Sequence, residues 1–330
     1  MVNQRHSALT RREILFQTAL AGATILAGRI KTTFAMASQP TTRVDFDVPR
    51  GACDCHTHIF GDRHRFPFFA GRTYTPESAS VAEQEKMHRA LHVDRTVIVQ
   101  PSVYGTDNSC TLDALRQIGP NARGIAVIGG QTTVTQLDDM HRRGIRGIRI
   151  NLETSGIEDP AVAKQRFRAA VEVVKRRHNW HIQIYTSLGL IAALRDEIAG
   201  SSVPVVFDHF GGAQAADGPH QPGLGELIAL VESGKAYVKL SAPYRVSKLA
   251  PDFPDVAPLA KALVAANSQR MLWGTDWPHP QTKAGRPAEE VTPLYQIDDG
   301  RDLNLFAKWV PNATTRKTIL VDNPARLYGF

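Results

Sequence analysis

The sequence is poor in cysteine: three in 330 residues, Cys53, Cys55 and Cys110. An odd count excludes a complete disulfide framework. Cys53 and Cys55 lie too close along one stretch to bridge easily, so all three read as small buried residues. Long apolar runs are also missing. The longest mildly apolar stretch, roughly residues 14–28, is short and rich in Ala and Gly, which excludes a stable membrane anchor. No Gly-rich dinucleotide fingerprint follows any strand candidate, and GGAQAADG after His209 does not fit one. No basic stripe with interleaved aromatics is present, so nucleic acid is not an expected partner.

The formal charge of +7 is uneven along the chain. Residues 1–37 carry Arg5, Arg11, Arg12, Arg29 and Lys31 against Glu13, so they supply +4 and leave +3 for the rest. Adjacent Arg11 and Arg12, the mildly apolar run and the small-residue pattern Ala35-Met36-Ala37 resemble a twin-arginine export signal. That resemblance implies passage through the twin-arginine translocase, removal of residues 1–37 and a periplasmic protein. Residues 38–50 then read as a linker, and residues 51–330 as the folded domain.

From residue 51 a strand-like run alternates with a helical pattern eight times. The strand candidates are 52–59, 95–100, 124–129, 145–151, 181–186, 203–209, 236–241 and 270–275. Stretches such as SVAEQEKMHRALH and SLGLIAALRDEIAG between them have helical periodicity and cap signals. Eight alternating units in about 280 residues predict a single-domain α/β fold, the closed (β/α)8 TIM barrel. The segment 60–80, rich in Arg, Phe and Pro, is a long loop expected to fold over the barrel mouth.

Active sites of such barrels lie at the C-terminal ends of the strands. The polar residues collect there: His56 and His58 on strand one, Arg149 and Asn151 on four, Tyr185 on five, His209 after six, Arg245 after seven and Asp276 after eight. Within CDCHTHIF, strict alternation would aim Asp54, His56 and His58 at one face and Cys53, Cys55 and Thr57 at the other. Asp54, two residues deeper, would orient the histidines. Water attack on an ester needs a base and an electrophile. Asp276 suits the base. His56, His58 and His209 can polarise a carbonyl, by hydrogen bonding or through a metal. Arg149 and Arg245 offer guanidinium forks for carboxylate or sulfonate oxygens.

H-x-H on the first strand, His after the sixth and Asp after the eighth resemble the amidohydrolase superfamily. The words DCHTHIF, RTYTP, VQPSVYGTDN, GIRGIRIN, VVFDHFGG, LSAPYR and WGTDWPH, in this order, resemble the branch that contains 2-pyrone-4,6-dicarboxylate lactonase and 4-sulfomuconolactone hydrolase. The resemblance spans CDCHTH to VDNPARLYGF. It implies hydrolysis of a small anionic lactone in aromatic-compound degradation, with the sulfonated lactone preferred here, and adds Tyr74, Tyr104 and Tyr185 as substrate contacts. His56, His58, His209 and Asp276 would be the metal ligands, for a single Zn2+ or for none, because strand five ends in Tyr185 rather than a further ligand and His181 lies too deep. A lactone isomerase or metal-dependent decarboxylase on the same barrel is the alternative, and a non-enzymatic solute-binding barrel is a third reading.

Overall fold

The computed structural model describes residues 37–282 and 287–330. The export signal expected in residues 1–37 lies outside these, apart from Ala37. Eight parallel strands pair in chain order: β1 Cys53–Thr57, β2 Arg95–Val99, β3 Ala122–Ala126, β4 Ile145–Asn151, β5 His181–Tyr185, β6 Val205–Phe207, β7 Ala236–Ser241 and β8 Met271–Gly274. A bridge between Thr57 and Trp277, with the His58 amide donating to the Trp277 carbonyl at 2.8 Å, closes the ring. The expected (β/α)8 barrel is the observed one, and each strand candidate contains or overlaps its observed strand.

The strands form because both faces are covered, which suits near-continuous apolar runs such as RTVIV and VVF. The helices wrap outside: α1 Val81–Leu91, α2 Ser109–Ile118, α3 Val134–Arg142, α4 Pro160–Val174, α5 Leu188–Gly200, α6 Leu224–Glu232, α7 Val256–Asn267 and α8 Asp299–Trp309. Capping boxes start α1 (Ser80 with Glu83) and α3 (Thr133 with Gln136). Leu188, Ile191, Leu194 and Ile198 make the buried stripe of α5. Among the described residues, no helix is long and apolar enough to cross a membrane.

Two segments expected as loops are tied to the barrel. Residues 38–50 are not a free linker. The Ser38 carbonyl accepts from Trp277 Nε1 at 3.0 Å, Ser38 Oγ lies 3.0 Å from His279 Nδ1, and the Thr41 and Thr42 hydroxyls donate to Asp298 at 2.6 Å. The 60–80 segment lies across the loops after β2 and β8: the Phe69 amide donates to the Val103 carbonyl, and Thr75–Pro76 pairs with Val291–Thr292.

Candidate active site

The first strand departs from strict alternation. Its pairing with β2 runs Cys53 to Arg95 and Asp54 to Thr96, then jumps to Thr57 with Ile98, so three residues of β1 span two of β2. This β-bulge re-aims the side chains. Cys53 and Cys55 point into the barrel against Val97, Val99 and Val206, and His56 and His58 still point inward after them. Asp54 turns the other way. Its carboxylate accepts from Thr275 Oγ1 at 2.6 Å and from the amides of Thr275 and His56, and it lies 3.2 Å from His88 Nε2 on α1. The expectation that Asp54 shares the histidine face is corrected by the bulge. Asp54 instead fixes the backbones that carry His56 and Asp276. All three cysteines are free and buried, as expected.

Strain marks the strand ends. His209, Phe210, Ala242, Asp276 and His279 all adopt left-handed backbone conformations, with φ between 46° and 68°. Such conformations cost of order 1–3 kcal/mol each for non-glycine residues and persist where the surroundings dictate them. After His209, Gly212 (φ 75°) packs so tightly on the Thr186 carbonyl that a Cβ could not fit.

These turns bring His56, His58, His209 and Asp276 together. Asp276 Oδ1 lies 3.4 Å from His58 Nε2, 3.5 Å from His56 Nε2 and 3.7 Å from His209 Nε2. It accepts no hydrogen bond. Its other oxygen, Oδ2, is held by Tyr244 Oη at 2.7 Å and Arg245 Nε at 2.6 Å. Burial pushes this carboxyl up, but Arg245, then His209, His58 and His56, together pull it well below the usual carboxylate range. Burial pushes His209 down to about 4 against the opposing pull of Asp276 and Asp208. Burial and then Lys239 hold His56 well below the usual imidazole range.

Spacing allows a test for a metal. Around a tetrahedral ion with bonds of about 2.0–2.1 Å, ligand atoms stand roughly 3.3 Å apart. His56 Nε2 and His58 Nε2 are 3.3 Å apart, and both lie 3.4–3.5 Å from Asp276 Oδ1. These three residues, all buried, therefore fit a single small cation, and the unpartnered Asp276 Oδ1 suits one. His56, Asp208 and His209 form a second such group. His181 lies at the start of β5 with its ring 5.2 Å from Tyr328, deep in the barrel as expected.

The remaining predicted residues divide. Arg149 reaches Asp208 Oδ2 at 3.2 Å, its Nε has no hydrogen-bond partner, and its guanidinium stands 5.7 Å from the Tyr185 ring. Tyr185 in turn meets His209 edge-on at 5.1 Å. Arg245 is less free than a substrate clamp should be, since Nε holds Asp276 and Nη2 donates to the Pro280 carbonyl at 3.0 Å. Tyr74 is buried, and the charges of Arg149, Arg245 and Asp276 all reach its hydroxyl. The Tyr104 hydroxyl accepts from the Gly61 amide at 3.0 Å and its ring packs on Phe68. It braces the 60–80 segment.

Sequence reasoning passed over Asp208, Lys239, Gln183 and Tyr244. Lys239 is wholly buried, with Nζ 2.8 Å from Gln183 Oε1, 3.3 Å from Asp208 Oδ1 and 3.3 Å from His56 Nδ1. A lone Lys inside the apolar run AYVKLS was the available signal, since lysine is almost never fully buried without partners. Asp208 was legible as the acid before His209.

The amidohydrolase family model matches residues 53–330. A 4-sulfomuconolactone hydrolase from Rhizobium radiobacter is 34% identical over 295 residues, covering 87% of this chain and 92% of that protein. A 2-pyrone-4,6-dicarboxylate hydrolase from Comamonas testosteroni is 32% identical over 296 residues, 87% of this chain and 93% of that protein. A solved structure from Pseudomonas putida, assigned as a 2-pyrone-4,6-dicarboxylic acid hydrolase, superposes with a TM-score of 0.72 at 29% identity, covering 86% of this chain and 98% of that one.

Proposed function

The chain belongs to the amidohydrolase family, and from that premise we propose that it is a lactonase, opening a small anionic lactone by attack of water on the ring carbonyl. The observation that carries the reading is Asp276 Oδ1. It is buried, accepts no hydrogen bond and faces three imidazoles, while Oδ2 is fixed by Tyr244 and Arg245. An ionised carboxylate with one anchored and one free oxygen can take a proton from a water aimed at a carbonyl. The imidazoles lie where the carbonyl oxygen gains charge, and stabilising that charge contributes on the order of 10²–10³ in rate. As the ring bond breaks, the proton on Asp276 passes to the departing ring oxygen, so the carboxylate is regenerated and water is the only co-reactant.

Arg149 presents its unpartnered Nε to the substrate's anionic group, with the Tyr185 ring beside it. A cavity of about 490 Å³ is lined by Arg149, Asn151 and Arg166, and of the site's residues only Arg149 reaches it. Between carboxylate and sulfonate we favour the sulfonated lactone, 4-sulfomuconolactone, consistent with arginine recognition and with the 34% identical relative. His56, His58 and Asp276, with His209 beside them, would hold a bound ion. Zn2+ suits two imidazoles and a carboxylate, and would act as a Lewis acid on the carbonyl. We further propose periplasmic action after twin-arginine export, on the strength of Arg11-Arg12 and Ala35-Met36-Ala37.

Asp276→Asn tests the reading. Ring opening should vanish while a non-hydrolysable anionic analogue still binds. Retained hydrolysis would remove Asp276 as the base, and an isomer or carbon dioxide as the wild-type product would move the chemistry to an isomerase or decarboxylase.

A further inference from the structure

A line of hydrogen-bonding groups crosses the floor of the site, and its two ends have fixed polarity. At one end His58 Nδ1 lies 2.7 Å from the Val99 carbonyl, which can only accept, so Nδ1 carries the proton and Nε2 a lone pair. His56 Nε2 lies 3.3 Å from that lone pair. At the other end Lys239 Nζ, which donates to Gln183 Oε1 at 2.8 Å, sits 3.3 Å from His56 Nδ1 in hydrogen-bonding geometry. Asp208 Oδ1 stands 3.2 Å from Nδ1 and 3.3 Å from Lys239 Nζ, so it competes with Lys239 for Nδ1 and the tautomer of His56 decides between them.

We propose that Lys239 is a positioning residue that sets the tautomer of His56: Nζ–H donates to His56 Nδ1, and His56 Nε2–H faces the site. Both ends of the line then agree, with Lys239 donating to His56, His56 to His58 and His58 to the Val99 carbonyl. Two imidazoles two residues apart are made unlike, His56 a hydrogen-bond donor and His58 an acceptor. On the lactonase reading, on which this part rests, the His56 Nε2–H turns from His58 to the carbonyl oxygen when substrate binds, and the freed His58 Nε2 accepts a hydrogen bond that orients the water whose proton passes to Asp276.

The same assignment bears on a metal. An imidazole that ligates through Nε2 donates its other N–H to a carboxylate or carbonyl. His58 meets that requirement through Val99. His56 does not while Lys239 occupies Nδ1, and it becomes a ligand only if Nδ1 takes the proton and turns to Asp208. Lys239 therefore weakens the ion site that the spacing of His56, His58 and Asp276 would otherwise make.

Long-range 1H–15N spectra of the full chain, labelled with 15N-histidine, read the tautomers directly. The wild type should show His56 protonated on Nε2 and His58 on Nδ1. Lys239→Met should move the His56 proton to Nδ1. Zn2+ affinity, measured by competition with a chelating dye, should rise, and kcat should fall by roughly 10–100-fold with KM little changed, the range typical of groups that orient a ligand. A wild-type His56 protonated on Nδ1 overturns the proposal without any variant. An unchanged His56 spectrum and Zn2+ affinity in Lys239→Met overturn it as well. If the tautomers are as expected and no lactone is opened, the positioning role stands and the lactonase reading fails.

Discussion

Arg245 offers the sharpest perturbation, because two roles meet in one side chain. Its Nε holds Asp276 Oδ2 at 2.6 Å, and its guanidinium is the largest of the influences that lower the Asp276 carboxyl. Arg245→Gln removes the charge and keeps an amide that can still hydrogen-bond. Two unit charges about 4 Å apart interact by roughly 4 kcal/mol at an effective dielectric of about 20, equivalent to about three pKa units. Asp276 is buried, and burial pushes its carboxyl up, so with Arg245 gone only His209, His58 and His56 still oppose the rise. In the wild type the acid limb of kcat/KM should lie at or below pH 4, where His209, pushed down to about 4, becomes protonated. In Arg245→Gln the Asp276 carboxyl should rise from its lowered position, so the acid limb should move to higher pH by up to about three units. The assay is the pH dependence of ring opening between pH 3.5 and 9. A limb that stays put while the rate falls evenly at every pH would refute the reasoning, and would leave Arg245 as a substrate contact only.

Other outcomes follow from the same contacts. His58→Ala should remove on the order of 10²–10³ in rate. Asp54→Asn should weaken turnover without abolishing it, because its carboxylate holds backbone amides rather than substrate; equal and total loss in steady-state assays of both would contradict the bulge argument. His181 is buried with both ring nitrogens unpartnered, and burial pushes it down to about 3. The unfolded chain, with histidine near 6.5, binds the extra proton first, so folding stability should be full above that pH and decline as pH falls toward 3. His181→Leu should recover up to roughly 3 kcal/mol of that acid loss in denaturant titrations at pH 7 and pH 4; an identical acid loss in both proteins would show that His181 is not its source.

The barrel was legible because its two signals are local. Strand runs such as RTVIV and helix caps such as Ser80 with Glu83 need no knowledge of the rest of the chain. The strand-end rule then gathered His56, His58, His209 and Asp276 without any contact being known. What escaped depends on non-local geometry. The bulge in β1 follows from pairing with β2 and from Asp54 bonding Thr275, some 221 residues away. The bond from the Gly61 amide to the Tyr104 hydroxyl likewise joins distant parts of the chain. Tyr244 and Arg245 are adjacent, and only the short turn after β7 brings both onto one carboxylate oxygen. Residues 38–50 carry no regular pattern, yet five hydrogen bonds from Thr41 and Thr42 to Asp298 and the Ser38 contacts fasten them to the loop that carries Asp276.

The most direct measurement is the loss of ultraviolet absorbance of 4-sulfomuconolactone on adding the purified protein, with product mass determined in 18O-labelled water. The account predicts rapid loss and a ring-opened acid that carries one labelled oxygen. An unlabelled isomer, release of carbon dioxide, or no reaction with either this lactone or 2-pyrone-4,6-dicarboxylate would contradict it.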